Sequence, residues 1–358
     1  MDERWHVRGV PLPGGGEPID LWIADGRLQT WPVAGAAELP GAYVAPGLVD
    51  AHVHLTFEAR ERLGLPRGSA ELIAAQLEQH HRAGVLAVRD AGSFPGVAVP
   101  DEVIGCGPLL APPDFFLPHL YEGTPPEAAV AGARERVRAS WPWVKVICDF
   151  PGADGNPLNP RLGYPADLLM RIADAVHEEG GRIAAHVMGR FVREAVHIGF
   201  DSIEHGNWAD EETVHAMAER GVAWTPTLTT VLGHIEPIAD FVPPARELLE
   251  RQRRTLPLAA ELGVTLLAGT DEEPHGSVAA EVAALAAFGV PAPAALAAAT
   301  SGAREFLGLP GLTAGAPADL VTFDRDPRAD LSALAEPAAI VAAGRSIGQR
   351  PADPSRAA

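Results

Sequence analysis

Short apolar segments alternate with amphipathic helical segments along most of this chain, and this alternation restricts its fold more than any other feature. Eight segments have the length and character of buried strands, and most are separated by segments with one apolar face. Strands separated by helices pair in parallel, and eight of them can close on themselves, so the pattern predicts an α/β fold with a (β/α)8 TIM barrel. The predicted strands are residues 44–53, 85–90, 102–110, 144–149, 182–187, 202–205, 222–227 and 265–270, and the predicted helices are 70–83, 127–139, 165–179, 191–197, 210–220 and 244–262.

The two ends of the chain have a different, β-rich character. Residues 17–33 read as two short strands around the Asp25-Gly26 turn, and residues 318–327 and 338–347 show similar apolar runs. A chain of 358 residues accommodates a barrel of about 250 residues and a smaller domain. We therefore predict a small β-sandwich domain formed by residues 1–44 and 314–358, and a barrel formed by residues 45–313.

The charge balance limits the classes of partner. The chain has 28 basic and 47 acidic residues, a formal charge of −19. Nucleic acids and anionic membranes both require a basic surface, so the expected partner is a small-molecule substrate. The spacing of Cys106 and Cys148 excludes a CxxC site, and the N-terminal residues lack the pattern of a signal peptide. We expect a cytoplasmic protein, and a homo-oligomer is an open possibility.

Metal-binding residue types occur where several predicted strands end. In the segment PGLVDAHVHL two histidines lie two residues apart, which places both side chains on one side of a strand. Further candidates end strands five, six and eight, in RIAAHVMG, DSIEHG and LLAGTD. The C-terminal strand ends of a barrel converge on one face, so these donors can meet at a metal. The candidate ligands are His52, His54, His186, His205 and Asp271.

Lys145 is a sixth candidate and lies within the apolar strand WPWVKVICDF. An unpaired ammonium group in such surroundings is energetically costly. A salt bridge to a carboxylate such as Asp149 would relieve that cost. Alternatively, the neutral amine, which burial favours, could react with CO2 and become an anionic ligand that bridges two metals. We favour carboxylation.

Several other polar residues allow weaker predictions. Four residues in loops after strands three, seven and eight are candidates for substrate contact: His119, Tyr121, His234 and His275. Five histidines on predicted helices are expected to face solvent: His80, His81, His177, His197 and His215. Arg89 and Asp90 end strand two, where a structural salt bridge is a simpler explanation than a role in substrate binding.

The motifs together resemble those of the amidohydrolase superfamily over nearly the whole chain. They begin with DLWIADGRL and APGLVDAHVHL, continue through VKV, AAHVMG, SIEHG, TPTL and AGTD, and end with LTAGAPADLVTFDRDP. The chain is most similar to the branch of imidazolonepropionase-like hydrolases and Xaa-Pro dipeptidases. This resemblance implies that His52, His54 and Asp271 bind the more buried metal, that His186 and His205 bind the second, and that carboxylated Lys145 bridges the two.

The resulting hypothesis is a two-metal amidohydrolase that cleaves an amide C–N bond in an N-acyl amino acid or dipeptide-like substrate by metal-activated hydroxide. Asp271 would serve as the proton shuttle. Zinc is the expected metal, although manganese, cobalt and iron suit the same donors. The alternatives are a one-metal cyclic amide or amidine hydrolase or deaminase, a lactonase or esterase, and a non-catalytic scaffold.

Overall fold

The computed structural model describes residues 3–57, 63–117, 121–152, 155–271, 276 and 278–349. Strands dominate both ends of the chain, and strands and helices alternate between them. The strands are β1 (Trp5–Pro11), β2 (Ile19–Ala24), β3 (Arg27–Gln29), β4 (Ala37–Glu38), β5 (Tyr43–Pro46), β6 (Leu48–Val53), β7 (Val85–Asp90), β8 (Ile104–Gly105), β9 (Trp143–Ile147), β10 (Asp149–Phe150), β11 (Arg161–Leu162), β12 (Arg182–Val187), β13 (Ser202–His205), β14 (Ala223–Thr225), β15 (Leu320–Phe323), β16 (Ala339–Ala342) and β17 (Arg345–Gln349).

Ten α-helices and two 3-10 helices are present among the described residues. The predicted helical segments all fold as helices, and no end differs from the prediction by more than one residue. The α-helices are α1 (Ala70–Arg82), α2 (Pro126–Arg138), α3 (Ala166–Glu178), α4 (Val192–Ile198), α5 (Glu211–Arg220), α6 (Leu228–His234), α7 (Pro243–Glu261), α8 (Val278–Ala287), α9 (Ala292–Ala297) and α10 (Ser301–Phe306), and the 3-10 helices are Glu236–Ile238 and Leu331–Ala335.

The strands of both chain ends form one sheet. Its order is β17-β16-β15-β5-β1-β2-β3, and β4 pairs with β1. Strand β5 joins the two ends because it pairs in parallel with β1 and antiparallel with β15, with Val44 opposite Thr322. The sheet has its own buried apolar cluster, separate from the main core, which includes Val7, Ile23 and Leu320. The domain boundaries at residues 44/45 and 313/314 stay predictions.

Apart from the short antiparallel pair of β10 and β11, the strands between the chain ends pair in parallel. One ladder has the order β6-β7-β8 and the other has the order β9-β12-β13-β14. Backbone pairing between Leu110 and Val146 connects the two ladders, and pairing between Trp224 and Leu266 extends the second one. The amide of Ala51 in β6 donates to the carbonyl of Ala268 at 2.8 Å. The chain thus has the TIM-barrel-like α/β fold predicted from its strand–helix alternation.

Four predicted strands differ from the structure. The segment 44–53 is not one strand, because the chain leaves the small sheet after Pro46 and enters the parallel sheet at Leu48. Segment 102–110 keeps only β8, because Gly107, just after it, has a φ of 62°, in the left-handed region that strands do not adopt. Segment 144–149 is interrupted after β9, and segment 265–270 contributes isolated backbone pairing but no continuous strand.

His80 is also placed differently from its prediction. It is fully buried on the inner face of α1, together with Leu72, Gln76 and Leu77. The amide of Gly276 donates to Nδ1 of His80 at 3.2 Å, which gives the buried imidazole a polar partner. The other four helical histidines are exposed or partly exposed, as predicted.

The Ala-rich run at residues 279–299 forms α8 and α9 rather than one long helix. Among the described residues, no helix combines the length and the apolar character needed to cross a membrane.

The core near the small sheet offers a direct test of packing. Phe323 ends β15, is fully buried and contacts the main core. Phe323→Ala should lower the free energy of unfolding by about 3–5 kcal/mol, the usual cost of deleting a buried ring. Chemical denaturation would measure the loss. Phe241→Ala is the matched control, since that ring is 85% exposed, and its effect should stay within about 0.5 kcal/mol.

Candidate active site

Six side chains predicted to bind metal come together at the C-terminal ends of the parallel strands. His52 lies in β6, Lys145 in β9, His186 in β12 and His205 in β13. Asp271 follows the segment that pairs with β6, and its amide donates to the carbonyl of His52 at 2.7 Å. Because parallel strands present their C-terminal ends on one face, residues more than 200 positions apart become neighbours.

His52, His54 and Asp271 form the tightest group of donors. One potential ligand atom from each lies within 4.8 Å of the other two. Nε2 of His52 is 3.1 Å from Oδ1 of Asp271, and Nε2 of His54 is 3.4 Å from the same oxygen. Burial alone would raise the pKa of Asp271, but the neighbouring His52 and hydrogen bonds from both imidazoles hold it well below its usual range. The carboxylate is therefore ionised at neutral pH and is a competent metal ligand.

The hydrogen bonds of His52 and His54 orient both rings alike. Nδ1 of His54 donates to the carbonyl of Gly92 at 3.1 Å, since a carbonyl can only accept. Nδ1 of His52 donates to the carboxylate of Glu204 at 2.7 Å. In each ring this directs Nε2 at Asp271, and Nε2 is the nitrogen that would bind a metal after losing its proton.

Glu204 is a functional residue that we did not predict from the sequence. Its second carboxylate oxygen accepts from Nη2 of Arg89 at 2.6 Å and from the hydroxyl of Ser202, and all three side chains are buried. Burial would raise the pKa of Glu204, but Arg89 and His52 keep it well below its usual range. The signal in the sequence was an acidic residue inside the apolar strand SIEH, where an unpaired charge would be costly.

The structural salt bridge expected at the end of strand two exists, with Glu204 as the partner of Arg89. Asp90 instead accepts hydrogen bonds from the amides of Leu55 at 3.1 Å and Gly92 at 2.8 Å. It therefore fixes the loop after His54 and the carbonyl that orients this ring.

His186 and His205 form a second pair of donors. Nε2 of His205 is 2.9 Å from Nδ1 of His186, and Nδ1 of His205 is 2.8 Å from the hydroxyl of Thr227. Burial lowers the pKa of His205 to about 3 and that of His186 well below its ordinary value. Both rings are neutral at pH 7, and neutral imidazoles are the form that binds metal.

Lys145 is fully buried, and its Nζ lies 3.5 Å from Nε2 of His52. The predicted alternative of a salt bridge to Asp149 is wrong. The carboxylate of Asp149 accepts instead from the amides of Met188 at 2.7 Å and Gly189 at 2.9 Å. Burial lowers the pKa of Lys145, which favours the neutral amine that reacts with CO2.

The backbone at the site is held in conformations that few residues adopt. His205, Thr227 and Asp271 have φ values of 67°, 47° and 61°, in the left-handed region. Such backbone costs about 1–3 kcal/mol per residue and persists where the surroundings enforce it. Gly269 shows how closely the strands approach, since a Cβ there would lie 2.6 Å from Cβ of His52.

The donors open into a cavity of about 410 Å³. Most of its walls are apolar, and no arginine or lysine is among the described residues that line it. The described lining is His54, Phe57, Phe116, Leu117, Phe150, Pro157, His186, Met188, His205, Asn207, Thr227, Thr230, Val231, His234, Ile235 and Asp271.

The four predicted substrate contacts have different positions. His234 lines the cavity, whereas Tyr121 is buried behind the rings of Phe94 and Phe116 and is not among the described lining residues. His119 and His275 lie outside the described residues. Substrate contact by these four residues stays a prediction.

The described residues fit a metal site. Nε2 of His186 is buried and has no hydrogen-bond partner in the described part of the chain, although buried polar atoms almost always have one. The neutral imidazoles of His186 and His205, the ionised carboxylate of Asp271 and the buried amine of Lys145 also lie close together beside an apolar cavity. Donors of this chemistry suit zinc, manganese, cobalt or iron.

The network around Glu204 predicts a large effect of one substitution. Glu204→Gln leaves the buried guanidinium of Arg89 without its ion-pair partner. The expected cost is about 3–5 kcal/mol of unfolding free energy, the range for a broken buried pair. Urea denaturation of metal-free protein would measure it. Glu212→Gln, which removes a surface partner of Arg193, should change stability by less than about 1 kcal/mol.

Several known proteins are similar to this chain in sequence or in fold. The model of the amidohydrolase family matches residues 43–346. An uncharacterized protein of Mycobacterium tuberculosis is 35% identical over 367 residues, which cover 96% of each chain. Ochratoxinase of Aspergillus niger is 24% identical over 403 residues, which cover 93% of this chain and 83% of that protein. The structure of a Xaa-Pro dipeptidase with bound methionine aligns with a TM-score of 0.78 at 20% identity, over 96% of this chain and 99% of the other.

Proposed function

This chain belongs to the amidohydrolase family, and we propose that it is a two-metal hydrolase that cleaves an amide C–N bond in an N-acyl amino acid or dipeptide-like substrate. The observation that carries the proposal is the convergence of His52, His54, His186, His205 and Asp271 with buried Lys145 at one end of the parallel strands. The similar proteins include a dipeptidase and an ochratoxinase, and the former supports a dipeptide-like substrate.

The residues divide into two sets of ligands. His52, His54 and Asp271 would hold one ion, His186 and His205 the second, and Lys145, carboxylated at Nζ, would contact both. When bound, divalent metals polarise the scissile carbonyl and activate water near neutral pH. Asp271 is ionised, so it can accept the proton of the attacking water and deliver it to the leaving nitrogen. The apolar walls of the cavity exclude other water from the reaction.

Further parts of the proposal concern the fold, the cellular location and the partners of the protein. We infer that the eight strand segments close into a complete barrel and that the sheet of the chain ends folds as a β-sandwich. We also propose a cytoplasmic location, because Cys106 and Cys148 are both buried free thiols, as expected in a reducing compartment. A charge of −19 supports a small-molecule substrate over nucleic acid or a membrane. A homo-oligomer is compatible with these features.

Metal content is the first test of the proposal. Protein purified with added zinc or manganese should contain about two metal ions per chain by elemental analysis, since the donors suit a two-metal site. Lys145→Ala should lower this content, because it removes the bridging ligand. A stable value of one in the unmodified protein, unchanged by Lys145→Ala, would favour the one-metal cyclic amide or amidine hydrolase.

The bond cleaved is the second test. Dipeptides and N-acyl amino acids should be hydrolysed, while lactones, esters and cyclic amidines should react slowly or not at all. A panel of these four classes with the metal-loaded protein would measure it. Activity confined to lactones or esters, or to amidines, would replace the amide assignment with the corresponding alternative. Absence of turnover on all classes would favour a non-catalytic scaffold.

Asp271→Asn should lower turnover by about a hundredfold or more, the usual contribution of a positioned general base. Asparagine keeps the shape and one oxygen but cannot accept a proton at neutral pH. Most of the metal should stay bound through the histidines and Lys145, which elemental analysis can verify. His177→Ala on the exposed face of α3 should leave turnover nearly unchanged. Near-normal activity of Asp271→Asn would show that another group moves the proton.

A further inference from the structure

A continuous series of aromatic rings runs along the cavity from one metal-ligand histidine to another. We call it the aromatic arc, and each ring contacts the next. The centroid distances are 5.1 Å for His54–Phe57, 5.9 Å for Phe57–Phe94, 5.3 Å for Phe94–Tyr121, 5.5 Å for Tyr121–Phe116, 4.7 Å for Phe116–Phe150 and 6.0 Å for Phe150–His186.

Three phenylalanines of the arc reach the cavity itself. Phe57, Phe116 and Phe150 line it and are only partly buried, whereas Tyr121 is buried behind them. Phe116 and Phe150 both contact His186, with the Phe116 centroid 5.8 Å from the imidazole. A group held against these two rings would therefore lie next to the proposed reaction centre.

The polar part of the lining comes from other strands. The phenylalanines of the arc lie in the segments that follow β6, β7, β8 and β9, whereas Asn207, Thr230 and His234 follow β13 and β14. The cavity thus has one aromatic side and one side with hydrogen-bonding groups. Such a cavity suits a ligand that has a flat apolar group at one end and polar atoms at the other.

We propose that the aromatic arc selects amide substrates that carry an aromatic ring beside the scissile bond, and that Phe116 and Phe150 determine this preference. The inference rests on the amide hydrolysis proposed above. Aromatic rings prefer offset or edge-to-face contact with other rings, which adds about twofold to tenfold in affinity per pair beyond the effect of apolar area. A saturated ring of the same size gains only the affinity that comes from burying apolar area.

Two matched pairs of substrates test the preference. N-phenylacetyl-L-alanine and N-cyclohexylacetyl-L-alanine differ only in the acyl ring, and N-benzylacetamide and N-(cyclohexylmethyl)acetamide differ only in the ring on the amine. In both pairs a methylene keeps the aromatic ring out of conjugation with the amide. The aromatic member of at least one pair should have a kcat/KM about fivefold higher or more. Phe116→Leu and Phe150→Leu keep apolar bulk but remove the ring, and each should bring this ratio towards one.

Phe115→Leu is the matched control. Phe115 precedes Phe116, is buried and packs against Arg161, and it is not among the lining residues. Its substitution should leave the aromatic-to-saturated ratio unchanged. A ratio that survives in both Phe116→Leu and Phe150→Leu would overturn the assignment of these residues.

A measurement without turnover separates failure of this inference from failure of the proposed function. Acetophenone and cyclohexyl methyl ketone are matched ligands with no amide bond, and their affinities can be compared by ligand-observed NMR. Preferential binding of acetophenone without hydrolysis of any amide would support the arc and refute the amide hydrolase. Amide hydrolysis with equal kcat/KM in both substrate pairs, together with equal binding of the ketones, would overturn the arc and leave the hydrolase. Equal binding of the ketones without amide hydrolysis would overturn both. If Phe116→Leu or Phe150→Leu does not fold, the aromatic-to-saturated ratio of kcat/KM in the unmodified protein tests the preference.

Discussion

The site depends on a negative charge placed in the apolar interior. Glu204 lies in β13 with no exposed surface, and it is stable there because Arg89, Ser202 and His52 each contact its carboxylate. Arg89 in turn donates from Nε to the carbonyl of Ala51 at 2.7 Å. One buried ion pair therefore links β6, β7 and β13 and orients the imidazole of His52, a ligand in the proposed metal site. Leaving either partner uncompensated would be costly, so the arrangement forms as a unit.

Further buried carboxylates hold the loops that complete the site. Each accepts hydrogen bonds from backbone amides on a different segment, and burial raises the pKa of each above its ordinary value. Asp50 binds the amide and hydroxyl of Thr270 beside Asp271, and Glu281 binds the amides of Leu228 and Thr229 at the start of α6. Asp90 and Asp149 act in the same way on the loops after β6 and β12. The positions of the proposed metal ligands are thus determined by buried acids that are not among those ligands.

The periodic features of the fold could be predicted from the sequence, and those that depend on close tertiary contact could not. Apolar spacing located all six predicted helices, and the ends of β7, β12 and β13 match their predictions. The change of sheet at Gly47 was missed because both strands flanking it are apolar, so no break in composition marks it. Strand β8 is short because Gly107 adopts a left-handed φ of 62° where it lies against the ring of Trp141, a contact between residues 34 positions apart that no local pattern reveals.

The same division applies to the site. Donors at strand ends were predictable from residue type and spacing, and the structure brings all six together. The partners that orient them, such as Glu204 and Gly92, were not predicted because they act through distances set by the fold. Charged residues inside apolar strands were nevertheless a usable signal, because an acid in SIEH or RDAG needs a buried partner. His80 shows that residue type can also mislead, because a histidine on an amphipathic helix can belong to the buried face.

The pairing of β5 with β15 has a consequence for how the chain is made. Val44 lies opposite Thr322, 278 residues later, so the N-terminal strands cannot complete their sheet until almost the whole chain has been synthesised. At roughly 5–20 residues per second the delay is on the order of 15–60 s. During this time the edge of β5 is an unpaired strand that can associate with other chains. A nascent chain of this architecture is therefore a natural client for chaperones, although the finished protein buries that edge.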